Sequence, residues 1–509
     1  MALNNITFNL GQGGLGRPLP GEDYISGLLF YSATLPSGFT TSNRIQRMLA
    51  LGDAVALGIT NTHLGETRST ATYLVTAAGV AGNTVTITAA EPNGSVTLIS
   101  YTVLSTDISV AILGQSIASA INTNTLINGG YIAAASAGTI TITARPGLGI
   151  YFNTGAPYTV TIVGAVAGTL TQSVIVGVAS VIDVWYYHIS EYFRLQPQGI
   201  LYVGIYAIPS PYTFIEITTM QNFANGKIRQ VGVYKDSAAF ASGDITLIHG
   251  VCAANVVLHK EIIALYGADI SATANVATLT DLSALTANYC SAVISQDGGA
   301  SGNSLFAAYG KSITTLGATL GAVSRAKVSQ SIAWVAQFNI SAGAGLECDI
   351  ISFANGVLFS NASVTDGLLT TMQNMRYIFL RKFVGVAGSY FNENSTSITT
   401  TSSYAYIADN RTIQKATRGI YTNLLPALNS PITLNADGTL ANEAIAYFGG
   451  LAEAPLNQMI RDGELSGMKV TISAIQNVLT TGILVVSVSL VQIATGRNIN
   501  VNIGYNVTV

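Results

Sequence analysis

The sequence predicts an α+β protein: a mixed α/β core of sheets and helices, an inserted small β-rich domain, and extended N- and C-terminal arms. Three observations predict it. Between Ser69 and Ser180 only Glu91, Asp107 and Arg145 are charged, which sets that stretch apart as a module. After Val184, buried-strand runs alternate with runs of helical period, the pattern of mixed α/β layers. From Met468 to its last residue the chain reads as strand: MKVTISAI, then ILVVSVSLVQIA, a Thr495-Gly496-Arg497 turn, and NINVNIGYNVTV.

Composition narrows the class. At 509 residues the chain is long enough for two or three domains. Lys plus Arg number 22 and Asp plus Glu 25, so charged residues are 9% of the chain, where about 25% is usual. With 49% hydrophobic residues the chain can bury a core, which excludes wholesale disorder. A neutral, hydrogen-bonding exterior fits a subunit covered by copies of itself better than a freely dissolved monomer. A net charge of −3 leaves no basic footprint and excludes a dedicated nucleic-acid binder.

Taken in order, the opening MALNNITFNLGQGG has neither the positive nor the apolar region of a signal peptide, so folding in a cytoplasm is expected. Gly11, Gly13 and Gly16 spell GxGxxG after ITFNL, but Arg17-Pro18-Leu19-Pro20 follows and cannot open the helix that would hold a pyrophosphate. The stretch reads instead as a low-bulk arm lying close against another surface. In the module, NTVTITA, SVTLISYTV, GTITITA and PYTVTIVGAV are strands broken by Pro92-Asn93-Gly94 and ARPGLG. Ser109 to Asn122 is a helix with Asp107 as its N-cap. The apolar stretches 162–184 and 477–494 carry Thr, Ser and Gln at short intervals and read as buried strands, not membrane spans.

Beyond the module, GILYVGIYAI (199–208), IRQVGVYK (228–235) and YCSAVISQ (289–296) read as strands of a partly parallel sheet. VVLHKEIIALYGA (256–268) reads as a helix between two of them. Further helices are expected over 366–386, 411–427 and 443–465.

No chemical site has a clear owner. His63, His188, His249 and His259 lack metal-ligand spacing, and Cys252, Cys290 and Cys348 are isolated and read as buried. No nucleophile elbow or Walker sequence is present, and no cofactor is expected. Asp183, His188, Glu191 and Arg194 cluster among Trp185, Tyr186, Tyr187, Tyr192 and Phe193, and read as a helix entering a core. Arg376, Arg381 and Lys382, interleaved with Tyr377, Phe379 and Phe383, read as an amphipathic helix with snorkelling stems. Arg411, Lys415 and Arg418 share one helix face and are expected to make a subunit contact.

Several passages together resemble contractile tail sheath proteins of phage tails and related injection systems. One is Ala408-Asp409-Asn410-Arg411-Thr412-Ile413-Gln414-Lys415-Ala416, running through Arg418-Gly419-Ile420 to Leu424-Leu425-Pro426-Ala427-Leu428-Asn429-Ser430-Pro431-Ile432. Others are the ending Gly496-Arg497-Asn498-Ile499-Asn500-Val501-Asn502-Ile503-Gly504-Tyr505 and the opening Glu22-Asp23-Tyr24-Ile25-Ser26-Gly27-Leu28. The Trp-Gly-x-Arg-Thr sequence of other sheath branches is missing. The resemblance implies hexameric rings stacked helically around an inner tube, contracting without nucleotide to drive the tube through a target envelope.

It also implies self-association, contacts with the inner tail tube protein and with baseplate and tail terminator proteins, and a place in a virion tail assembled in a bacterial cytoplasm. No nucleic-acid contact and no membrane insertion are implied. The expected division is an arm over 1–30, a first core part over 31–68 and 183–365, a peripheral insert over 69–182, a C-terminal core domain over 366–495 and an arm strand over 496–509. Inter-subunit arm residues would be Ile6, Phe8, Gly11, Gly13, Gly16, Asn498, Ile499, Val501, Ile503 and Tyr505. Arg461, Asp462 and Glu464 would face the tube. Two other classes stay open: a surface adhesin or glycan-binding protein, and an enzyme with its site on the α/β core.

Overall fold

The computed structural model describes residues 21–124, 129–235 and 239–505. They form two compact units, a larger one of residues 24–326 and 331–407 and a smaller one of residues 21–23, 327–330 and 408–505.

The larger unit begins with β1 (Ile25–Tyr31), whose run ISGLLFY is buried at every position. A strand apolar on both faces belongs in the middle of a covered sheet. After β2 (Ile45–Met48) and α1 (Leu51–Ala56) the chain leaves for the β-rich module. This comprises β3 (Thr70–Ala77), β4 (Thr84–Glu91), β5 (Gly94–Thr102), α2 (Val110–Thr123), β6 (Ile132–Ser136), β7 (Thr139–Thr143), β8 (Tyr158–Val163) and β9 (Ala167–Ile175). Two sheets, ordered β6-β7-β3-β9 and β5-β4-β8, share a core with α2 that contains Tyr73, Ile87, Ile117 and Ile142. Alternation makes this possible: Val85, Ile87 and Ala89 point inward from β4 while Thr84, Thr86 and Thr88 point outward. The cap of α2 is Ser109, whose side chain accepts from the Ile112 amide, and not Asp107. Asp107 is buried and accepts from the Leu104 amide, Tyr101 and Ser116.

The chain returns through α3 (Val181–Leu195), β10 (Ile200–Tyr206), α4 (Glu216–Phe223), β11 (Gln230–Tyr234), α5 (Ser242–Val257), β12 (Ile263–Gly267) and β13 (Cys290–Val293). Then come β14 (Ser295–Asp297), α6 (Ser301–Tyr309), α7 (Leu316–Arg325), β15 (Ile351–Phe353), α8 (Asp366–Asn374), β16 (Leu380–Phe383) and β17 (Val386–Phe391). The main sheet runs β13-β12-β11-β1-β10-β2, parallel except for β2. Residues of β1 alternate between two cores: Leu28 and Phe30 join α3 and α7, and Leu29 and Tyr31 join α4 and α5.

Several expectations change here. Residues 25–30 are not arm but the centre of this sheet, because every side chain of β1 has a core to enter. Residues 256–268 hold the end of α5, a turn with His259 at φ 56°, and strand β12. A doubly buried parallel strand is a continuous apolar run, and such a run carries no period to separate it from a buried helix. The helix expected over 366–386 ends at Asn374, and Arg376, at φ 72°, turns the chain into the β16–β17 hairpin. That hairpin places Phe379, Leu380 and Phe391 in the cores of the larger unit, so residues 366–407 belong there rather than with the C-terminal domain.

The smaller unit contains α9 (Ile407–Leu424), α10 (Asn442–Arg461), β18 (Leu465–Thr471), α11 (Val478–Thr481) and β19 (Ser487–Gln492). Strands β18 and β19 form a two-stranded antiparallel sheet. Its side chains Val470, Val488 and Leu490 pack on Ala416, Ile420, Leu456 and Met459 of α9 and α10. No helix among the described residues is long and apolar enough to cross a membrane.

Candidate functional site

Helix α9 sets Arg411, Lys415 and Arg418 on one face because they lie four and three positions apart. The face meets acids of its own chain. Lys415 Nζ lies 2.8 Å from Asp23 Oδ2 and 2.7 Å from Glu464 Oε1. Arg418 donates to Asp23 Oδ1 at 2.8 Å, and Arg411 donates to the Asp23 carbonyl at 3.2 Å. Burial pushes the Asp23 carboxyl up, but Lys415, Arg418 and Arg411 outweigh it and hold the group below the usual carboxylate range. Burial raises Glu464 despite its bond to Lys415. Within the chain these three cations therefore meet Asp23 and Glu464; helical spacing fixes a face but not its partner.

Of the residues expected to face a tube, Arg461 and Asp462 are exposed at the end of α10, where Gln458 bridges them at 2.7 and 2.9 Å. Glu464 is not, since it is buried against Lys415. After β19, residues 493–505 pair with no strand among the described residues. Asn498 is exposed, and Ile499, Val501, Ile503 and Tyr505 are 84, 76, 95 and 108% exposed, an alternating apolar row left in solvent. Ile6, Phe8, Gly11, Gly13 and Gly16 lie outside the described residues. The sequence reading missed an open, mainly apolar groove of about 380 Å³ lined by Thr417, Ile420, Tyr421, Leu424, Leu425 and Leu428. Its signal was present: Ile420, Leu424 and Leu428 recur every fourth residue.

The enzyme-like cluster does not converge. His188 is fully buried, both ring nitrogens lack a hydrogen-bond partner among the described residues, and burial drops its pKa to about 3. Asp183 turns to His63 Nδ1 at 2.7 Å, while Glu191 grips Arg194 through two bonds of 2.8 and 2.6 Å. Arg376 is buried and donates to the Thr396 and Ala405 carbonyls, Arg381 lies over the Phe383 ring and Lys382 faces Asp349 at 3.6 Å. These three stand on a turn and a strand, not on the expected helix.

A second feature gave no sequence signal because its parts are fifty residues apart. Asp297 accepts from the amides of Ala300 and Asn303 at the start of α6 and from the Cys348 amide. Glu347 accepts from the next amides, Ser301 and Gly302 at 3.0 Å, and from Tyr187 at 2.6 Å. Burial and the neighbouring Asp297 charge push the Glu347 carboxyl up to about 7.

Comparison with known proteins adds the following. The chain is similar in structure to the contracted helical sheath of the anti-feeding prophage, at 13% identity over 65% of this chain and 84% of that one, with a TM-score of 0.46. It is similar to the contracted PVC sheath complex of an extracellular contractile injection system, at 14% identity, 64% and 81% coverage and a TM-score of 0.41. It is also similar to a sheath tail protein from Listeria innocua, at 10% identity, 92% and 94% coverage and a TM-score of 0.37. These are contractile sheath proteins, the class that the sequence motifs resemble. No curated protein matches the chain in sequence. The family description "DUF2586, N-terminal domain" matches residues 3–395, and "DUF2586, C-terminal domain" matches residues 403–509. The chain therefore belongs to the DUF2586 family.

Proposed function

We propose that this chain is the structural subunit of a contractile tail sheath. It polymerises as helically stacked hexameric rings around an inner tail tube, joined to baseplate and terminator proteins. Contraction drives the tube through a target envelope. The observation that carries this reading is the alternating row Ile499, Val501, Ile503 and Tyr505, an apolar strand with no sheet of its own among the described residues. Exposed apolar strands are aggregation hazards that a monomer avoids, and a polymer uses them by adding them to a neighbour's sheet. Among the described residues strands β18 and β19 form a sheet of only two strands, which leaves edges for such addition. The chemistry is structural: contraction exchanges one packing of a rigid core for a lower-energy one, with the arms as tethers. The β-rich module lies at the periphery, and Arg461 and Asp462 sit toward the tube. Negative-stain images of the purified full-length chain test this. Hollow cylinders or stacked rings are expected, and dispersed particles at every concentration would overturn it.

A further inference from the structure

We propose that His63 is a proton-operated clasp that fastens the β-rich module to helix α3, closing as pH falls and loosening as it rises. The clasp goes beyond the sheath reading, since it concerns how the module is held whatever the chain assembles into. Three pieces of chain meet at His63. It stands on the segment that enters the module, Asp183 stands in the first turn of α3 just after the segment that leaves it, and Gly147 lies in the module's own β7–β8 loop. The His63 amide donates to Asp183 Oδ1 at 3.1 Å, and its Nδ1 lies 2.7 Å from Oδ2, so one residue engages both carboxylate oxygens. The ring lies against Gly147, where a Cβ would come within 2.7 Å of it. His63 itself sits at φ 58°, a left-handed conformation that its surroundings have to hold in place.

Neighbouring bonds close the same joint. Thr67 and Val178 exchange backbone hydrogen bonds of 3.0 and 2.8 Å between the two connecting segments, and Ser180 Oγ donates to the Leu64 carbonyl at 2.7 Å. Glu66 accepts from the Gly147 and Gly149 amides at 2.9 and 2.8 Å. The charged groups that face His63 are Asp183 from α3, Glu66 from its own segment and Arg145 from the β7–β8 loop. The bond to Asp183 lifts the imidazole above its ordinary range; burial and Arg145 oppose this, and the Asp183 and Glu66 charges add to it. A neutral imidazole can keep its Nδ1–H bond, so what protonation adds is the attraction between an imidazolium and a buried carboxylate. The fastened joint then binds the proton more tightly than the open one. Its extra hold is complete below the ordinary histidine value of 6.5 and is lost as pH rises through the raised one.

Hydrogen exchange of the full-length chain tests the clasp, read on peptides containing Thr67, Gly147, Gly149 and Val178 between about pH 5.5 and 8.5. Protection relative to the intrinsic rate at each pH should fall severalfold as pH rises, while the module core around Ile117 and Ile142 stays protected. His63→Asn removes the titrating ring with a side chain that tolerates the left-handed backbone, and Asp183→Asn keeps an acceptor without its charge. Both variants should lose the part of the fall that belongs to the clasp. Glu347, at the start of α6, titrates in the same direction and is present in all three chains, so the clasp is read as the difference between them. Protection that does not change with pH in the native chain, or that falls equally in all three, would overturn the proposal. A fall lost in His63→Asn but kept in Asp183→Asn would show His63 working against another group and would overturn the pairing with α3.

Discussion

The β-rich module and the smaller C-terminal unit span similar lengths of chain but build cores of different size. The module has a large core of its own, although Val80, Ile108, Val163, Val174 and Val176 are exposed on it. Its two sheets and α2 surround a cluster of large buried side chains, and its outward strand faces are rows of Thr and Ser such as Thr86, Thr88, Ser100 and Thr161. Its three charges are also settled internally: Arg145 pairs with Glu91 through two bonds of 2.7 Å, and Asp107 is buried under three donors. The C-terminal unit has a central cluster of only five fully buried residues, and it leaves Leu425, Leu428, Ile475, Leu479, Ile483 and the arm row exposed. A region with a large core folds for itself. One with a small core and open apolar rows is, on the sheath reading, completed by another chain.

The largest test of that contrast is deletion of residues 498–509. Folded subunits with an unchanged Tm and no polymer are expected, by thermal unfolding and by imaging. Normal cylinders would break the contrast, since the arm would then complete nothing. Matched truncations sharpen it further. Ile142→Ala, in the module core, should cost about 2–5 kcal/mol of stability in denaturant titration, whereas Ile503→Ala should leave stability unchanged and weaken assembly. The same hydrophobic deletion then reads out on different quantities in the two regions.

The contrast also explains what could be read from the sequence. Strands with one wet face announce themselves by alternation, as in TVTITAAE of β4 and TITIT of β7. Strands buried on both faces do not, which is why IALYG of β12 passed for helix and the buried β1 for arm. Arg376 passed for a helical residue because nothing local reveals that its guanidinium will serve carbonyls twenty and twenty-nine positions away. In the C-terminal unit, the arm row and the face of Arg411, Lys415 and Arg418 were legible because both are periodic. The partner of that face was not, because Asp23 lies nearly four hundred residues upstream and only the fold brings it there.

A smaller effect concerns the seat of the module. Asn93, in the β4–β5 turn, exchanges hydrogen bonds with Asn303 and Ser304 of α6, and the Ile150 amide donates to the Ala308 carbonyl. The start of that helix is held by Asp297 and Glu347. Because the folded chain holds Glu347 near 7 and an unfolded one near 4.5, the folded state binds the extra proton between those values. Stability should therefore be greatest below about pH 4.5 for this group and fall as pH rises toward 7, by on the order of 2 kcal/mol. Glu347→Gln should flatten that slope in urea titrations at several pH values. An unchanged slope would show that the carboxyl does not keep the proton.

The smallest expected effect is the most direct check that the module's exterior is finished. Thr86 lies on the outer face of β4, beside Ser100 of β5 at 2.9 Å and Thr161 of β8. Thr86→Lys puts a charge where the chain has none, but the stem can lie along neighbouring methyl groups with its ammonium in water. Stability should stay within about 0.5 kcal/mol, and if the module is peripheral the cylinders should form as before. Loss of cylinders with the fold intact would mean that the hydroxyl face is covered in the assembly. The module would then be an interface in its own right, and the division between a self-sufficient region and an incomplete one would no longer describe this molecule.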